Sequence, residues 1–486
     1  MFSFSLQELT LLGLFFLFLE LLGVVMALRA ILHTRTSQGA LAWAISLLTA
    51  PLVALPLYAL FGRRRFHGYV EARRTVDQAI QQQTDLRLER EWKPFRKGLS
   101  EREKLVQTLE HLSGMSFTGG NAVGLLVNGK DTFDSHFAAI EQAQNYILVQ
   151  FFIVHDDEIG RELQQRLIER QQAGVQVYFL YDAIGSYALP KGYREQMRLA
   201  GIQVRAFGRP GRVKNRFKIN FRNHRKIVVV DGHIGFVGGH NVGDEYLGKS
   251  SRFGFWRDTH LRLSGPAVMG LQTAFVEDWS WAAGTLPELD WTPQADRSDS
   301  TGGDSADVMV IPSGPADELE TCSLFFVLLL NAAKERIWLT SPYFVPNEAV
   351  MEALRLAALR GVDVRVMLPN KPDKWTAWFA AFAYIQEAQP AGVRFYRYSN
   401  GFLHQKTMLV DHDLAVVGTA NLDNRSFRLN FEVSALVSGR NFSANIEQML
   451  RDDFSRCRLI SKAEVTQQSL LGRIAVSAAR LLSPVL

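Results

Sequence analysis

Two long apolar runs near the start of the chain predict a pair of membrane-spanning helices. Leu9 to Leu28 holds twenty residues with one charge, Glu20, and Ala40 to Phe61 holds none. A helix needs about 20 apolar residues to cross the hydrocarbon core of a bilayer. The first run lacks the basic start and the cleavage pattern of a signal peptide. We therefore expect a transmembrane hairpin over residues 1–66, with Glu20 facing the partner helix or the membrane interface.

The arginines around these runs predict the side of the membrane on which the rest of the chain lies. The loop between the runs carries Arg29 and Arg35. Five arginines follow the second run: Arg63, Arg64, Arg65, Arg73 and Arg74. Segments rich in Lys and Arg stay in the cytoplasm. The long C-terminal part is therefore expected on the cytoplasmic side.

Beyond a polar, helix-like connector over residues 67–115, short β-like segments alternate with helical ones, and the order then repeats. In both copies a helix and a strand precede a second helix, a Gly-Val-x-Val strand, an Ala-Gly-hydrophobic strand and a His-x-Lys strand. The copies span residues 116–286 and 308–460, and the polar stretch 287–307 links them. This pattern predicts an α/β fold of two halves related by a pseudo-twofold axis, followed by an amphipathic tail over residues 461–486.

The composition mainly excludes certain classes of protein and of binding site. Of the 486 residues, 47% are hydrophobic and 21% are charged, which is ordinary for globular proteins. The net charge of +5 is compatible with anionic lipid but too small to indicate a nucleic-acid partner. Cys322 and Cys457 are the only cysteines, so the sequence excludes a disulfide framework, a cysteine-based zinc site and an iron–sulfur cluster.

The candidate chemistry lies in a motif that occurs once in each half. Each copy has a histidine, a lysine two residues later, an aspartate five residues after the lysine and an asparagine seventeen residues after the histidine. These residues are His224, Lys226, Asp231 and Asn241 in the first half and His404, Lys406, Asp411 and Asn421 in the second. Side chains two residues apart share a face of a strand. One such motif could be chance, but two copies with identical spacing at the same place in a repeat indicate a site.

Two such sets, brought face to face, suit a phosphate ester. Lysines and asparagines can hold the phosphate oxygens. One neutral imidazole can attack phosphorus, and the other can protonate the leaving alcohol and later deprotonate the incoming one. The motif aspartates are expected to brace the strand ends. Two lysines beside two histidines would repel a cation, so we expect no metal.

A carboxylate is expected to hold the second nitrogen of each histidine and so fix its tautomer. Asp258 lies 34 residues after His224, and Glu432 lies 28 residues after His404. Each opens a strand-like segment. We therefore predict that they are the orienting residues of their respective histidines.

The duplicated His-x-Lys-x4-Asp motif resembles the signature of the phospholipase D superfamily, and the resemblance covers roughly Phe117 to Leu459. Together with the N-terminal hairpin, the chain is more narrowly similar to the bacterial cardiolipin synthases. Further similarities are DDEIG at Asp156–Gly160, TSPYFVP at Thr340–Pro346 and NLDNRSFRLNFE at Asn421–Glu432. Gly239 stands where many members have serine, which would remove a hydroxyl near the phosphate.

The resemblance implies a multi-pass enzyme of the bacterial inner membrane that transfers a phosphatidyl group without a cofactor. It implies that His224 is the nucleophile and His404 the acid. The implied catalytic set is completed by Lys226, Asp231, Lys406 and Asp411, with Asn241 and Asn421 binding phosphate. The donor and the acceptor would both be phosphatidylglycerol, and the products would be cardiolipin and glycerol.

Several alternatives stay open at this point. The same residues would serve a phospholipase D-type hydrolase or a transferase with another acceptor lipid. A nuclease is disfavoured by the hairpin, and a non-catalytic scaffold by the completeness of both motifs.

Two surface features also favour a membrane. The stretch Arg205 to Lys226 holds nine basic residues and no acidic one, which suits an anionic membrane surface better than a solvated face or a nucleic acid. The tail would lie in the membrane interface or cap the second half.

Overall fold

The computed structural model describes residues 6–34, 37–62, 69–70, 73, 92–98, 102–208, 220–295 and 305–486. The chain forms two compact units. One comprises Met1–His67 and Arg209–Phe221, and the other comprises Gly68–Gly208 and Arg222–Leu486. Most of the predicted connector before residue 92, the centre of the basic stretch at 209–219 and the linker at 296–304 lie outside the described residues.

Over its described residues, the N-terminal unit contains three helices rather than the two that the apolar runs predict. They are α1 (Leu6–His33), α2 (Ser37–Thr49) and α3 (Pro51–Phe61). Within the described residues, one segment is long and apolar enough to cross a membrane by length and composition, Thr10–His33. The second run is divided because Ala50 leaves the helical conformation before Pro51, the first residue of α3. Proline disfavours a helical residue before it and is well suited to a helix start.

Small residues let the three helices pack closely. Their buried contacts are made by Ala27, Ala30, Ala44, Leu47, Ala54 and Tyr58. At Gly23 any side chain would place its Cβ 2.5 Å from the carbonyl oxygen of Leu47. Close backbone approach through small residues is typical of membrane helix pairs. Glu20 is exposed on α1, so it does not face the partner helix.

The second unit is built on a mixed sheet of sixteen strands. The strands of the first half are β1 (Thr118–Val127), β2 (Tyr146–Phe151), β3 (Gln176–Asp182), β4 (Gln203–Phe207), β5 (Arg222–Asn223), β6 (Ile227–Val230), β7 (Ile234–Gly238), β8 (Trp256–Arg257) and β9 (Thr259–Ser264). Those of the second half are β10 (Ser305–Ser313), β11 (Arg336–Thr340), β12 (Phe344–Val345), β13 (Asp363–Pro369), β14 (Arg394–Tyr398), β15 (Phe402–Leu403), β16 (Thr407–Val410), β17 (Leu414–Gly418), β18 (Leu422–Asp423), β19 (Asn430–Ser438) and β20 (Cys457–Leu459). Short strands β8 and β15, and β12 and β18, pair outside the main sheet.

Helices cover both faces of this sheet. They are α4 (Glu103–Ser113), α5 (Asn128–Gln142), α6 (Glu158–Gln172), α7 (Lys191–Leu199), α8 (Val268–Ala283), α9 (Thr321–Ala332), α10 (Glu348–Leu359), α11 (Trp375–Ala388), α12 (Asn424–Arg428), α13 (Arg440–Ser455), α14 (Lys462–Thr466) and α15 (Leu470–Leu481). Because both faces are covered, strands β6 and β16, which follow the two histidine motifs, are buried throughout and form continuous apolar runs.

The strand order confirms the α/β fold of two related halves. The main path runs β20-β14-β13-β11-β16-β17-β19-β10-β1-β9-β7-β6-β2-β3-β4. From the central antiparallel pair β1–β10, each half continues outwards in the same way, through β9, β7, β6, β2, β3 and β4 or through β19, β17, β16, β11, β13 and β14. Three strands of each half are parallel, β2, β3 and β4 in the first and β11, β13 and β14 in the second. The strand after the histidine motif is antiparallel to β2 or β11, and β20 adds an antiparallel edge strand beside β14. The pseudo-twofold axis therefore passes between β1 and β10.

The segment that follows the N-terminal helices in sequence is part of the second unit. Tyr69 is 1% exposed, and its hydroxyl donates to Asp278 Oδ1 at 2.6 Å. Its ring lies 4.5 Å from that of Phe431, centroid to centroid. Arg73 forms ion pairs with Glu277 and Asp317 at 3.0 Å each. These contacts anchor the start of the connector in the core, beside the strand that carries Glu432.

We expect Tyr69→Phe to lower the free energy of unfolding by about 1–3 kcal/mol, because Asp278 Oδ1 loses its buried donor. Chemical denaturation followed by tryptophan fluorescence measures this loss. Tyr187→Phe is the control, because the side chain of Tyr187 is 85% exposed to solvent. Equal losses in the two variants would contradict the anchoring role of Tyr69.

The C-terminal tail uses one face of its helix and leaves the other uncovered. Ala479 is buried against α11, and Arg480 pairs with Glu387 of that helix. The leucine-rich side predicted from the sequence stays exposed, notably Leu470 and Leu471 at 71% and 79%. The tail therefore caps the second half while an apolar stripe remains on its surface.

Candidate active site

Each motif histidine follows a short strand that pairs with a strand of the other half. β5, which ends just before His224, pairs in parallel with β19 of the second half. β15, which ends just before His404, pairs in parallel with β8 of the first half. The backbone N–H of His224 donates to Phe431 O at 2.9 Å, and that of His404 donates to Arg257 O at 2.8 Å. Each histidine is therefore held by a strand of the other half.

The carboxylates that hold the imidazoles are exchanged in the same way. His224 Nδ1 lies 2.9 Å from Glu432 Oε2, and His404 Nδ1 lies 2.7 Å from Asp258 Oδ2. Both carboxylates are 0% exposed. The sequence identified these residues but paired each with the histidine of its own half, and that pairing is wrong. Glu432 follows β19 residues that pair with β5, so it reaches His224, and Asp258 reaches His404 by the equivalent contact.

The hydrogen bonds of His224 define its tautomer. Nδ1 faces the Glu432 carboxylate and, at 3.1 Å, the carbonyl oxygen of Thr419. Two acceptors at one nitrogen place the proton on Nδ1 and leave the lone pair on Nε2. Burial lowers the pKa of His224 well below its usual range, and Lys226 and Lys406 lower it further. His224 is therefore a neutral imidazole with a free Nε2, which is the form that can act as a nucleophile.

Both motif lysines are buried beside the imidazoles. Lys226 is 0% exposed, and its Nζ donates to His224 O at 2.7 Å. Lys406 donates to His404 O and lies 2.9 Å from His404 Nδ1. Burial lowers the pKa of Lys226 to about 7 and that of Lys406 to about 8, while Glu432 and Asp258, respectively, oppose the shift most strongly.

The exchanged hydrogen bonds bring the two motifs together, and the charges of each motif act on the histidine of the other. Burial and then Lys406 lower the pKa of His404 to about 3, and Lys226 of the first half contributes to this shift. Conversely, Lys406 of the second half lowers the pKa of His224. An anion between the two lysines would offset the charges that depress both imidazoles. The arrangement therefore favours a bound phosphate and allows one histidine to take up a proton when the phosphate is present.

The two carboxylates differ in their protonation. Burial raises the pKa of Glu432 to about 7, although Lys226 opposes this. Burial also raises that of Asp258, but Lys406 and the neighbouring His240 outweigh it and hold the pKa well below its usual range. His404 therefore faces a firmly ionised partner, which stabilises an imidazolium better than Glu432 does.

The motif aspartates lie at strand ends and bind the backbone. Asp231 accepts the N–H groups of residues 144–146 at 2.7–2.8 Å, and Asp411 accepts those of residues 334–336 at 2.8–3.2 Å. Both have a φ of 51°, in the left-handed region of a tight turn. Asp231 thus joins the β6–β7 turn to the start of β2, and Asp411 joins the β16–β17 turn to the start of β11. Both positions are structural, at the ends of strands.

The motif asparagines already bind protein groups. Asn241 accepts the Ile153 N–H at 3.1 Å and donates to the Tyr246 hydroxyl at 3.0 Å. Asn421 donates to Asp423 at 3.3 Å, while its buried Oδ1 has no hydrogen-bond partner among the described residues. Phosphate binding by these amides would require exchange of a protein contact, so it stays a prediction.

Gly239 has a different neighbour from the one expected. Its counterpart Thr419 donates from Oγ1 to Glu432 Oε2 at 2.6 Å. A Cβ at Gly239 would lie 2.0 Å from Asp258 Oδ1. This position therefore contacts the orienting carboxylate, and glycine makes room for Asp258 against the backbone.

The residue between the motif histidine and lysine was missed by the sequence analysis. Arg225 is buried, donates to Asp278 of α8 at 3.1 Å, and donates to the Glu432 carbonyl at 3.0 Å. Its counterpart Gln405 donates to Asp453 of α13 at 2.8 Å. Alternation along an extended segment places these residues on the side opposite the motif histidine and lysine. A buried arginine requires an acidic partner. The signal in the sequence was therefore the arginine itself, placed next to a buried strand.

Other titratable clusters have no metal-like arrangement. Throughout the parts of the chain that the structure describes, no group of three or more His, Cys, Asp or Glu side chains could hold a metal ion.

Comparison with known proteins finds relatives in sequence and in structure. The family model described as "Cardiolipin synthase, PLD-like domain" matches residues 137–252 and 326–454. The chain is 50% identical to cardiolipin synthase A of Pseudomonas aeruginosa strain PAO1 over 98% of this chain and 96% of the relative. It is 48% identical to cardiolipin synthase A of Pseudomonas putida KT2440, over 96% of both chains. A crystal structure of phosphatidylserine synthase from Haemophilus influenzae Rd KW20 aligns with a TM-score of 0.57 and 14% identity, covering 80% of this chain and all of that one.

Proposed function

Because this chain belongs to the cardiolipin synthase family with phospholipase D-like domains, we propose that it joins two phosphatidylglycerol molecules into cardiolipin and glycerol. One observation carries the proposal: two buried imidazoles, each bound at Nδ1 by a carboxylate of the opposite half, with two buried lysines beside them. This arrangement supplies a nucleophile, an acid–base group and two cations for one phosphodiester.

In the first step His224 Nε2 attacks the phosphorus of phosphatidylglycerol. The bond from phosphorus to the glycerol oxygen breaks, and His404 gives its proton to that oxygen. Lys226 and Lys406 hold the other phosphate oxygens, where negative charge develops. In the second step a hydroxyl of another phosphatidylglycerol attacks phosphorus, His404 takes its proton, and the bond to His224 breaks. One phosphodiester replaces another, so no nucleotide is consumed.

The unequal carboxylates support this division of roles. His404 lies beside Asp258, whose pKa is held well below its usual range. His224 lies beside Glu432, whose pKa is raised to about 7. The histidine with the ionised partner is the better proton carrier, and the other is the better neutral nucleophile.

The proposal also includes location. The apolar segment Thr10–His33 supports membrane anchoring. The five arginines after the second apolar run favour a cytoplasmic catalytic unit on the inner membrane of a bacterium, with α2 and α3 completing the hairpin. The substrates are lipids of that membrane.

The test is to incubate the purified full-length protein in detergent micelles with phosphatidylglycerol alone, in the presence of a chelator. We expect glycerol and cardiolipin in equal amounts. Phosphatidic acid as the main product would identify a hydrolase instead. Product formation only with another alcohol or lipid would identify a different acceptor.

We expect a bell-shaped pH dependence of kcat/KM centred near neutrality. Activity rises as pH passes about 7, because burial raises the pKa of Glu432 to that value and its ionised form holds His224. Activity falls at higher pH because Lys226 and Lys406, with pKa values lowered to about 7 and about 8, lose their charge. Initial rates of cardiolipin formation across this range measure the profile. The alkaline limb begins with Lys226, which has the lower pKa of the two lysines. Lys226→Arg keeps its charge, so its alkaline limb should move to higher pH, and an unmoved limb would contradict this origin.

A further inference from the structure

The loop between β13 and α11 brings a further cation to the rim of the candidate active site. Lys374 lies over the ring of Tyr343, with Nζ 5.1 Å from the ring centroid. The Tyr343 hydroxyl donates to Asp373, and Arg252 of the first half donates to the Asp373 carbonyl at 3.1 Å. The loop is therefore held from both halves, and Lys374 has a defined platform.

This platform is joined to the second catalytic motif. Ser341 Oγ accepts the N–H of Tyr343 at 3.3 Å and that of Leu422, the residue after Asn421, at 3.0 Å. The charge of Lys374 also contributes to the lowered pKa of His224, after burial and the two motif lysines. Lys374 itself is exposed, and among the described side chains no acidic group forms an ion pair with it. It therefore lies outside the buried set but close enough to act on it.

The cation breaks the pseudo-symmetry of the two halves. The bridge that Val154 makes in the first half matches the β12–β18 pairing of the second. By that match Ile153 stands where Tyr343 does and offers no aromatic platform. The loop after β3, residues 183–190, contains no charged residue. Residues 183–190 therefore offer no cation on an aromatic platform equivalent to Lys374, as expected of a site that handles two lipids in two different positions.

We infer that Lys374 forms a second anion subsite, which binds the phosphodiester of the incoming lipid while the first phosphatidyl group is bonded to His224. The inference rests on the proposed function. In an incoming phosphatidylglycerol, the attacking hydroxyl and the lipid's own phosphate are separated only by the glycerol carbons. With the hydroxyl at the buried phosphorus, that second phosphate must lie at the rim. A cation there selects an anionic lipid over water or free glycerol as the acceptor.

The test separates the two half-reactions in full-length protein in phosphatidylglycerol micelles. Exchange of labelled glycerol into phosphatidylglycerol reports formation of the covalent intermediate and its capture by an uncharged alcohol. Cardiolipin formation reports capture by the anionic lipid. We expect Lys374→Gln to lower cardiolipin formation about 10- to 100-fold, the effect of losing one charged hydrogen bond, and to leave exchange within about twofold. Lys374→Arg should retain most of both rates.

Lys371→Gln is the matched control, because it removes an exposed charge from the same loop three residues earlier. It should change neither rate. An equal fall of both rates in Lys374→Gln would show that Lys374 acts on the first phosphate, and unchanged rates, or equal effects of the two variants, would show that no subsite exists. Each result overturns the inference. Wild-type protein that exchanges glycerol but makes no cardiolipin would instead overturn the proposed function on which it rests.

Discussion

His224→Ala should abolish cardiolipin formation, with a loss of at least about 10⁴-fold, because it removes the imidazole that forms the covalent intermediate in the proposed mechanism. His404→Ala should lose about 10²–10⁴-fold, the contribution of a positioned acid–base group. A phosphatidyl ester of p-nitrophenol distinguishes the two, because nitrophenolate leaves without a proton. His404→Ala should still release a burst of nitrophenolate with that substrate, whereas His224→Ala should release none.

Both variants should remain associated with membranes in sedimentation assays, since α1 and the remaining N-terminal helices are unchanged. A burst from His224→Ala with none from His404→Ala would reverse the two roles. Full activity of His224→Ala would remove the proposed mechanism altogether.

The second large effect is expected at the exchanged carboxylates. Asp258→Asn and Glu432→Gln should each lower kcat by about 10⁴-fold, as when the carboxylate behind a catalytic histidine becomes an amide. Their behaviour with the nitrophenyl ester should differ. Asp258 touches His404, so Asp258→Asn should keep the burst, and Glu432 touches His224, so Glu432→Gln should lose it.

Glu447→Gln provides the control, since Glu447 is an ion-paired carboxylate that bonds to Arg336 and Arg451 rather than to a histidine. Its activity should match that of the wild type. The opposite burst pattern, with Asp258→Asn inactive and Glu432→Gln active, would indicate that each carboxylate serves the histidine of its own half.

Much of the fold was predictable because the signals are local and duplicated. The same features recur with the same spacing in both halves: the apolar runs of β6 and β16, the turn aspartates, and the glycine that ends β7 or β17. Such short, continuous apolar runs are typical of buried strands. The second apolar run was misread as one helix, although Pro51 carried the signal for the break. A proline can be accommodated or can start a new helix, and local sequence does not decide between these outcomes.

The site was predictable in its members but not in its pairings. Which carboxylate reaches which imidazole depends on β5 meeting β19 and on β15 meeting β8, contacts between segments about two hundred and about one hundred and fifty residues apart. The hydrophobic periodicity of a segment does not indicate which distant segment it pairs with. The position of Lys374 was hidden for the same reason, because its loop owes its place to Tyr343 and Arg252, which are distant in sequence.

The exchange of strands and carboxylates has a consequence for any ancestor that had a single repeat. One repeat alone would hold a histidine without its carboxylate and a carboxylate without its histidine, since each partner comes from the opposite half. Such a protein would be active only as a symmetric homodimer, in which each subunit completes the other. Gene duplication and fusion would then have made the partnership permanent and allowed the two sides to diverge, as Gly239 and Thr419 have done.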